Sequence, residues 1–174
     1  MPEPIAPDTK DWTWVLEQPC PECGFESTAH TLADVPGLIH DTTMVWSEVL
    51  RRPDVRERPT AEVWSPLEYA CHVRDVHRIF AERVELMLRE DEPRFANWDQ
   101  DETAIEARYA DQDPAEVDVD LIEAAGHVAG TYSMVTPETA GRRGFRSDGS
   151  EFTIETLGLY HLHDVVHHVR DVGA

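Results

Sequence analysis

The sequence predicts an all-α fold: a four-helix bundle with long crossover connections and an irregular N-terminal arm. Four segments carry apolar residues at three- and four-residue steps, as one buried face of a helix requires. Proline- and glycine-containing stretches separate these segments. The length of 174 residues suits one domain with one core. We therefore divide the chain into an arm, residues 1–30, and a bundle, residues 31–174.

The first two helices are predicted from periodicity and from helix-start signals. The first runs from about residue 32 or 36 to residue 50, where an Arg-Arg-Pro sequence ends it. Ser65, Pro66 and Glu68 then predict a strong helix start, because serine caps the helix, proline favours its first position and glutamate completes a capping box. This second helix should continue to about Glu90.

The second half of the chain predicts two further long helices. A long acidic connection covers residues 91–113, with a short helix near residues 103–109. An Asp-Pro pair starts the third long helix, which runs to about residue 135. Residues 136–150 contain proline and three glycines and predict a loop or a small hairpin. The last helix should run from near Thr153 to just before Gly173.

Composition excludes several functional classes. The formal net charge of −20 disfavours nucleic acids and anionic membrane surfaces. No apolar run approaches the roughly 20 residues that span a bilayer, and the N-terminus lacks the features of a signal peptide. Three cysteines do not form a disulfide framework. We expect a cytoplasmic protein with a small-molecule substrate, and a homodimer as the commonest assembly.

A histidine-rich run in the last predicted helix, residues 160–168, carries the main functional signal. His163 and His167 are four residues apart, so they lie on one face of a helix, one turn apart. Two imidazoles at this spacing can reach a single metal ion. On a helical wheel the pair lies at one edge of the apolar arc, which predicts a divalent metal site there.

The other histidines of this run lie at the opposite edge of the arc. His161 and His168 are seven residues apart, about 10 Å along the helix axis, and cannot easily share an ion. We interpret them as surface residues or as residues surrounding the site. Asp164 and His168 are also four residues apart, and we interpret them as a solvated pair.

A catalytic zinc site usually has three protein ligands and an open position, so a third ligand is needed. His72 is the best choice, because it lies beside the apolar seam of the second helix and can point into the bundle. Asp75 follows three residues later and could orient a ligand or act as a general base. His77 faces elsewhere on the same helix.

The arm contains a second, weaker signal. Cys20 and Cys23, in a Cys-Pro-Glu-Cys-Gly sequence, have the form of a zinc knuckle. A closed structural zinc site needs four ligands, and no second pair of this kind exists in the chain. His30 could add one, which leaves the site one ligand short. A redox role is less favoured, since no thioredoxin-like βαβ pattern surrounds the pair.

The residues from Trp64 to Val76, together with those from His163 to His168, resemble the DinB-like family over roughly residues 31–172. This family includes S-transferases that use mycothiol or bacillithiol, and mycothiol-dependent maleylpyruvate isomerase. The resemblance implies a four-helix bundle that binds a divalent ion, zinc or nickel, through three histidines. By position these would be His72, His163 and His167.

The resemblance implies a metal-dependent enzyme, with mycothiol-type thiol S-transfer to a small electrophile as the first hypothesis. A metal-bound thiol or water would lose its proton readily, so hydrolysis at the same site is an alternative. A non-catalytic metal-binding stress-response protein is another. Arg142, Arg143 and Arg146, in the loop before the last helix, could bind an anionic substrate, although solvated arginines are commoner. Trp98 could line the pocket mouth or simply cover the end of the bundle.

Overall fold

The predicted all-α four-helix bundle is confirmed. A computed structural model describes residue 5 and residues 11–174 of the chain. The irregular conformation predicted for residues 1–4 and 6–10 lies outside the described residues. The long helices are α1 (Val35–Val49), α2 (Pro66–Arg89), α4 (Pro114–Ser133) and α5 (Ile154–Asp171), and α3 (Gln100–Glu106) is short.

Side-chain caps fix where the helices begin. The Ser65 hydroxyl accepts a hydrogen bond from the Glu68 backbone N–H, and the Glu68 carboxylate accepts one from the Ser65 N–H, as the capping box requires. Asp113 caps α4 through the N–H groups of the two residues after Pro114. Thr153 caps α5. These local contacts explain why the sequence placed the helix starts within one or two residues.

The order of helices around the bundle differs from their order in the chain. Both α4 and α5 pack against α1 and α2, so the cyclic order is α1, α4, α2, α5. The long connections predicted from the sequence make this arrangement possible. Within the described part of the chain, no helix combines the length and the apolar character that crossing a lipid bilayer requires.

A small hairpin closes one end of the bundle. It pairs β1 (Arg143–Phe145) antiparallel with β2 (Glu151–Thr153), with Gly144 opposite Phe152. A β-carbon at Gly144 would lie 2.5 Å from the Phe95 ring, so any larger residue there would force this ring to move. The hairpin was one of the two alternatives predicted for residues 136–150.

Residues 11–30 of the N-terminal arm pack onto the bundle instead of extending from it. Its described part contains two 3-10 helices, Thr13–Leu16 and Ser27–Ala29, and a third, Leu32–Asp34, leads into α1. Val15, Cys20 and Phe25 are buried, and the first and second of these helices contact α5. The arm therefore forms one wall around the histidine-rich helix.

We predict that Glu68→Gln will lower the free energy of unfolding at neutral pH by about 2 kcal/mol, as for hydrogen bonds to charged groups. Burial alone would raise the pKa of Glu68, but hydrogen bonds from Arg58 and Ser65 outweigh it and hold the pKa below its usual range. Glu68 as a whole is 3% exposed.

Because the folded-state pKa of Glu68 is lowered, its stabilisation is present above the unfolded value of about 4.3 and is lost as the pH falls through the folded value. Urea unfolding of both proteins from pH 7 to pH 3 measures this. The difference in stability should shrink on acidification. Glu82→Gln, at an exposed position of α2, is the control. A constant difference across this range would contradict the prediction.

Candidate metal centre

The structure divides the metal-ligand side chains around α5 into two clusters. The first, here called the helix cluster, contains His72 from α2 with Asp164 and His168 from α5. The second, called the arm cluster, contains four residues. They are Cys20, Cys23, His163 and His167. In each cluster one ligand atom from every member lies within 4.8 Å of those of the others.

The helix cluster has the separations expected for ligands of one ion. Asp164 Oδ1 lies 3.7 Å from His72 Nε2 and 3.8 Å from His168 Nε2. Bond lengths near 2.1 Å in a tetrahedral site place such atoms about 3.4 Å apart. Within the described chain neither ring nitrogen of His72 nor Asp164 Oδ1 has a hydrogen-bond partner, although all three are buried. The donor set and its unpartnered atoms fit a divalent metal ion.

Charge states in the helix cluster also suit a cation. Burial lowers the pKa of His72, with Asp164 opposing the shift, so the imidazole is neutral and can act as a ligand. Burial opposes ionisation of Asp164, but His168 and His72 outweigh it and hold the pKa of this carboxyl well below its usual range. A neutral His72 imidazole and the ionised Asp164 carboxylate therefore meet His168 in this cluster.

A cavity of about 590 Å³ opens onto this cluster. Its wall includes Asp164 and His168, and Trp98 stacks on the His72 ring at a centroid distance of 5.7 Å. Trp64 approaches the His72 ring at 5.3 Å. The volume of the cavity lies within the range typical of small-molecule sites.

The arm cluster lies on the neighbouring face of α5. Cys20 Sγ is 3.8 Å from His167 Nδ1, and the rings of His163 and His167 are 5.2 Å apart. Cys20, His163 and His167 are buried, and Cys23 is half-buried. Trp12 packs against both histidine rings, at 5.5 Å and 5.2 Å, and also reaches the cavity wall.

The structure places the three predicted ligands in two clusters. His72, His163 and His167 do not share one cluster, because the two edges of the apolar arc of α5 face different neighbours. The edge with Asp164 and His168 faces α2, whereas the edge with His163 and His167 faces the arm. The pair that we interpreted as solvated, Asp164 and His168, completes the cluster with His72.

Asp75 belongs to a different network. Its carboxylate accepts hydrogen bonds from Arg74 at 2.9 Å, from Arg78 at 3.1 Å and from the Tyr109 hydroxyl at 2.6 Å. It belongs to neither cluster and does not line the cavity. These contacts join α2 to the segment that contains Tyr109. They do not support the predicted role of Asp75 as a base.

The loop arginines have structural partners. Arg142 donates to the Met87 carbonyl at 2.6 Å and to the Glu90 carbonyl at 2.8 Å, which ties the hairpin to the end of α2. Arg143 pairs with Glu92 and Glu151. Neither arginine lines the cavity, in contrast to their predicted role, but Arg146 does.

His161 is a core residue and not a surface one. Its Nε2 lies 3.0 Å from His77 Nδ1, and its Nδ1 lies 3.1 Å from the Tyr132 hydroxyl. Phe80 stacks on the ring at 4.4 Å. Neither His77 nor His161 is measurably exposed. Burial lowers the pKa of His77 to about 4, so the pair stays neutral within the core.

One carboxylate connects the two clusters. Asp171 Oδ2 lies 2.9 Å from His168 Nδ1, and Asp171 Oδ1 lies 3.8 Å from His167 Nε2. Histidines that bind metals commonly donate their second N–H to a carboxylate, which fixes the ring orientation. Sequence reasoning missed Asp171, although its spacing of three from His168 and four from His167 carried the signal.

The fold and clusters together define a four-helix bundle with a candidate metal site between facing helices. The family comparison agrees: residues 39–172 match the DinB superfamily, so the chain belongs to it. No curated protein sequence matches this chain significantly.

The chain is also similar to a solved structure, that of YfiT from Bacillus subtilis. That protein is described as a probable metal-dependent hydrolase with an unusual four-helix bundle topology. The match has a TM-score of 0.72 and 18% sequence identity, and covers 99% of this chain and 93% of that chain. At this identity the likeness establishes the fold.

We predict that His72→Ala and His168→Ala will each remove the same single divalent ion, because their ligand atoms converge on Asp164. Metal analysis of untagged, reconstituted protein measures the loss. His127→Ala, at an exposed position of α4, is the matched control and should leave the ion count unchanged. If His168→Ala retained every ion while His72→Ala lost one, the helix cluster would be wrong as assigned.

Asp171→Asn should weaken metal binding at the helix cluster 10- to 100-fold, the usual effect of losing a carboxylate behind a histidine ligand. Competition with a chromophoric chelator measures the affinity. The amide is nearly isosteric, so near-ultraviolet circular dichroism should show unchanged packing. Asp41→Asn, exposed on α1, is the control. An affinity equal to that of the unmodified protein would rule out this role for Asp171.

Proposed function

We propose that this protein is a divalent-metal-dependent enzyme, and that its reaction is the transfer of a mycothiol-type thiol to a small electrophile. The observation that carries the proposal is the helix cluster, in which buried, unpartnered ligand atoms of His72 and Asp164 meet His168 beside the cavity. The inference to thiol transfer rests additionally on the cavity and on the family resemblance.

His72, Asp164 and His168 would hold the ion, zinc or nickel being the expected metals. A divalent ion bound there lowers the pKa of a thiol or water that reaches it. The chain itself supplies the orientation of the ligands. Asp171 fixes the His168 ring, and Trp98 restricts the His72 ring by stacking on it.

The cavity supports a substrate larger than water. Trp12, Trp64, Tyr69 and Trp98 contribute flat apolar surfaces to its wall. Such rings give a large contact area for little loss of conformational entropy. Packing a sugar-linked thiol against these rings would place its sulfur at the helix cluster and leave space for a small electrophile.

The charge around the cavity restricts the class of thiol. The cavity is lined by four acidic residues outside the helix cluster, Glu62, Asp99, Asp101 and Asp171, and Arg146 contributes a positive charge. Arg146 itself pairs with Asp148 at 2.9 Å. This acidic surrounding disfavours strongly anionic cosubstrates and favours an uncharged sugar conjugate such as mycothiol.

Metal-dependent hydrolysis is the second candidate, favoured by a specific observation. The helix cluster contains a carboxylate, Asp164, beside two histidines, and two histidines with one carboxylate are a ligand set of catalytic zinc in hydrolases. The description of YfiT as a probable metal-dependent hydrolase is consistent with this alternative.

Thiol transfer can be tested with mycothiol and monochlorobimane. The thiol loses its proton to the solvent, its sulfur forms a bond to the electrophilic carbon, and chloride leaves with the electrons of the C–Cl bond. We expect the fluorescent product to form faster with the metal-loaded protein than with the metal-free protein. His72→Ala should reduce the enzymatic rate at least 100-fold, the scale of losing an interaction specific to the transition state.

Trp98→Ala supplies the matched test of the cavity wall. It should raise the KM for mycothiol about 10-fold, as the loss of roughly 1.4 kcal/mol of binding would, while bound metal stays stoichiometric. Trp14→Ala, in the arm but not lining the cavity, is the control. Turnover of ester substrates without any thiol, together with no thiol transfer, would favour hydrolysis. Stoichiometric metal with neither activity would favour the non-catalytic alternative.

A further inference from the structure

We propose that Cys20, Cys23, His163 and His167 bind a second, structural zinc ion that attaches the N-terminal arm to α5. This site is separate from the helix cluster and does not depend on the proposed reaction. It would complete the knuckle that the sequence left with too few ligands. The missing ligands come from α5, far along the chain, and not from His30.

The four residues match the ligand chemistry of structural zinc. Two cysteines and two histidines form one of its standard sets, with cysteines separated by two to four residues and histidines by three to five. Cys20 and Cys23 are separated by two residues, and His163 and His167 by three. In zinc fingers the two pairs are near in sequence, whereas here the fold brings them together.

The separations agree with one tetrahedral ion. Zinc–sulfur bonds of about 2.3 Å and zinc–nitrogen bonds of about 2.0 Å place the sulfur and nitrogen atoms about 3.5 Å apart. Cys20 Sγ and His167 Nδ1 are 3.8 Å apart. His163 is 4% exposed, and its Nε2 is buried with no hydrogen-bond partner in the described chain. A metal ion would satisfy this nitrogen.

The loop that carries the cysteines is folded as a knuckle. The Cys20 N–H donates to the Phe25 carbonyl and the Gly24 N–H donates to the Cys20 carbonyl, both at 2.8 Å. Gly24 has a φ of +75°, a conformation that glycine adopts without strain. The turn therefore presents both sulfur atoms to α5 from the same side.

Acidic groups behind His167 support the assignment of its ligand atom. Nδ1 faces Cys20, while Nε2 lies 3.6 Å from a Glu22 oxygen and 3.8 Å from an Asp171 oxygen. A metal on Nδ1 leaves Nε2 as the proton donor, the tautomer that carboxylates stabilise. Glu22 lies inside the knuckle itself, so the same loop provides ligands and an orienting group.

The arm cluster would be closed once zinc is bound, although His163 and His167 line the same cavity as Asp164 and His168. Four protein ligands fill a tetrahedral zinc, which leaves no position for a substrate. Phe25 and Trp12 pack against the His163 ring, at 5.9 Å and 5.5 Å. Because Trp12 also lines the cavity, an ion that fixes the arm also fixes one cavity wall.

Counting metal in variants tests the site. The unmodified protein, untagged and reconstituted with zinc under reducing conditions, should bind two ions per chain. The Cys20→Ser/Cys23→Ser double variant should lose one ion and His72→Ala the other. Cys71→Ala, a buried cysteine of α2 outside both clusters, is the control and should retain both.

Cobalt substitution of the unmodified protein makes the test independent of whether the variants fold. Cobalt bound to thiolates absorbs in the near ultraviolet, whereas cobalt bound only to histidines and carboxylates lacks this band. We expect the band in the unmodified protein and in His72→Ala. Its absence from the unmodified protein, or a Cys20–Cys23 disulfide in the freshly reduced and reconstituted protein, would overturn the proposal.

The pattern of losses separates this proposal from the proposed function. If the protein binds one ion, and this ion is lost in the cysteine variant but kept in His72→Ala, the result supports the arm cluster alone. One ion that His72→Ala loses and the cysteine variant keeps overturns the arm cluster and leaves the helix cluster intact. A single ion that the cysteine variant keeps, but that both His72→Ala and His167→Ala lose, would restore the three-histidine set predicted from the sequence and overturn the arm cluster.

Discussion

The periodicity of α5 is the constraint on which both clusters depend. The helix carries two pairs of side chains with a spacing of four, His163 with His167 and Asp164 with His168, offset by one residue. A spacing of four keeps each pair on one face, and the offset of one turns the second pair by about 100°. One helix can therefore present ligands to α2 and to the arm at the same time. The cluster on each side is completed by whichever element packs there.

This arrangement links metal binding to the packing of the bundle. His72 Nε2, Asp164 Oδ1 and His163 Nε2 are buried without hydrogen bonds in the described chain, and each such group costs about 1–3 kcal/mol. Hydrophobic contacts from Leu162 and Val165, on the buried face of the same helix, hold these atoms in place against that cost. Metal ions would remove it, because they bind the folded arrangement better than the open chain. Asp171 lies behind both clusters and couples their histidine orientations.

Local signals in the sequence predicted where the helices begin, but they did not predict which ligand side chains the fold brings together. Ser65, Asp113 and Thr153 act on backbone groups a few residues away, so the helix starts could be predicted without knowing the fold. The helical wheel of α5 also found both edges of its apolar arc correctly. It could not tell which edge faces α2, because the cyclic helix order depends on long connections that carry no such signal. His168 was therefore interpreted as a surface residue or a residue surrounding the site, and the knuckle was left one ligand short.

The two ligand sets differ in a way that suits their positions. Thiolates are soft ligands and bind zinc strongly, so a site with two cysteines would retain its ion while the arm stays folded. The helix cluster offers two imidazoles and one carboxylate, a set that several first-row metals accept. A free thiol that entered the cavity would compete poorly for the closed arm site, where four protein ligands already surround the ion. It would reach the open helix cluster instead. The closed site contains sulfur ligands, whereas the open site contains none. Because the two sites are separate, this small bundle would be able to use a thiol cosubstrate without losing the metal ion that holds its arm.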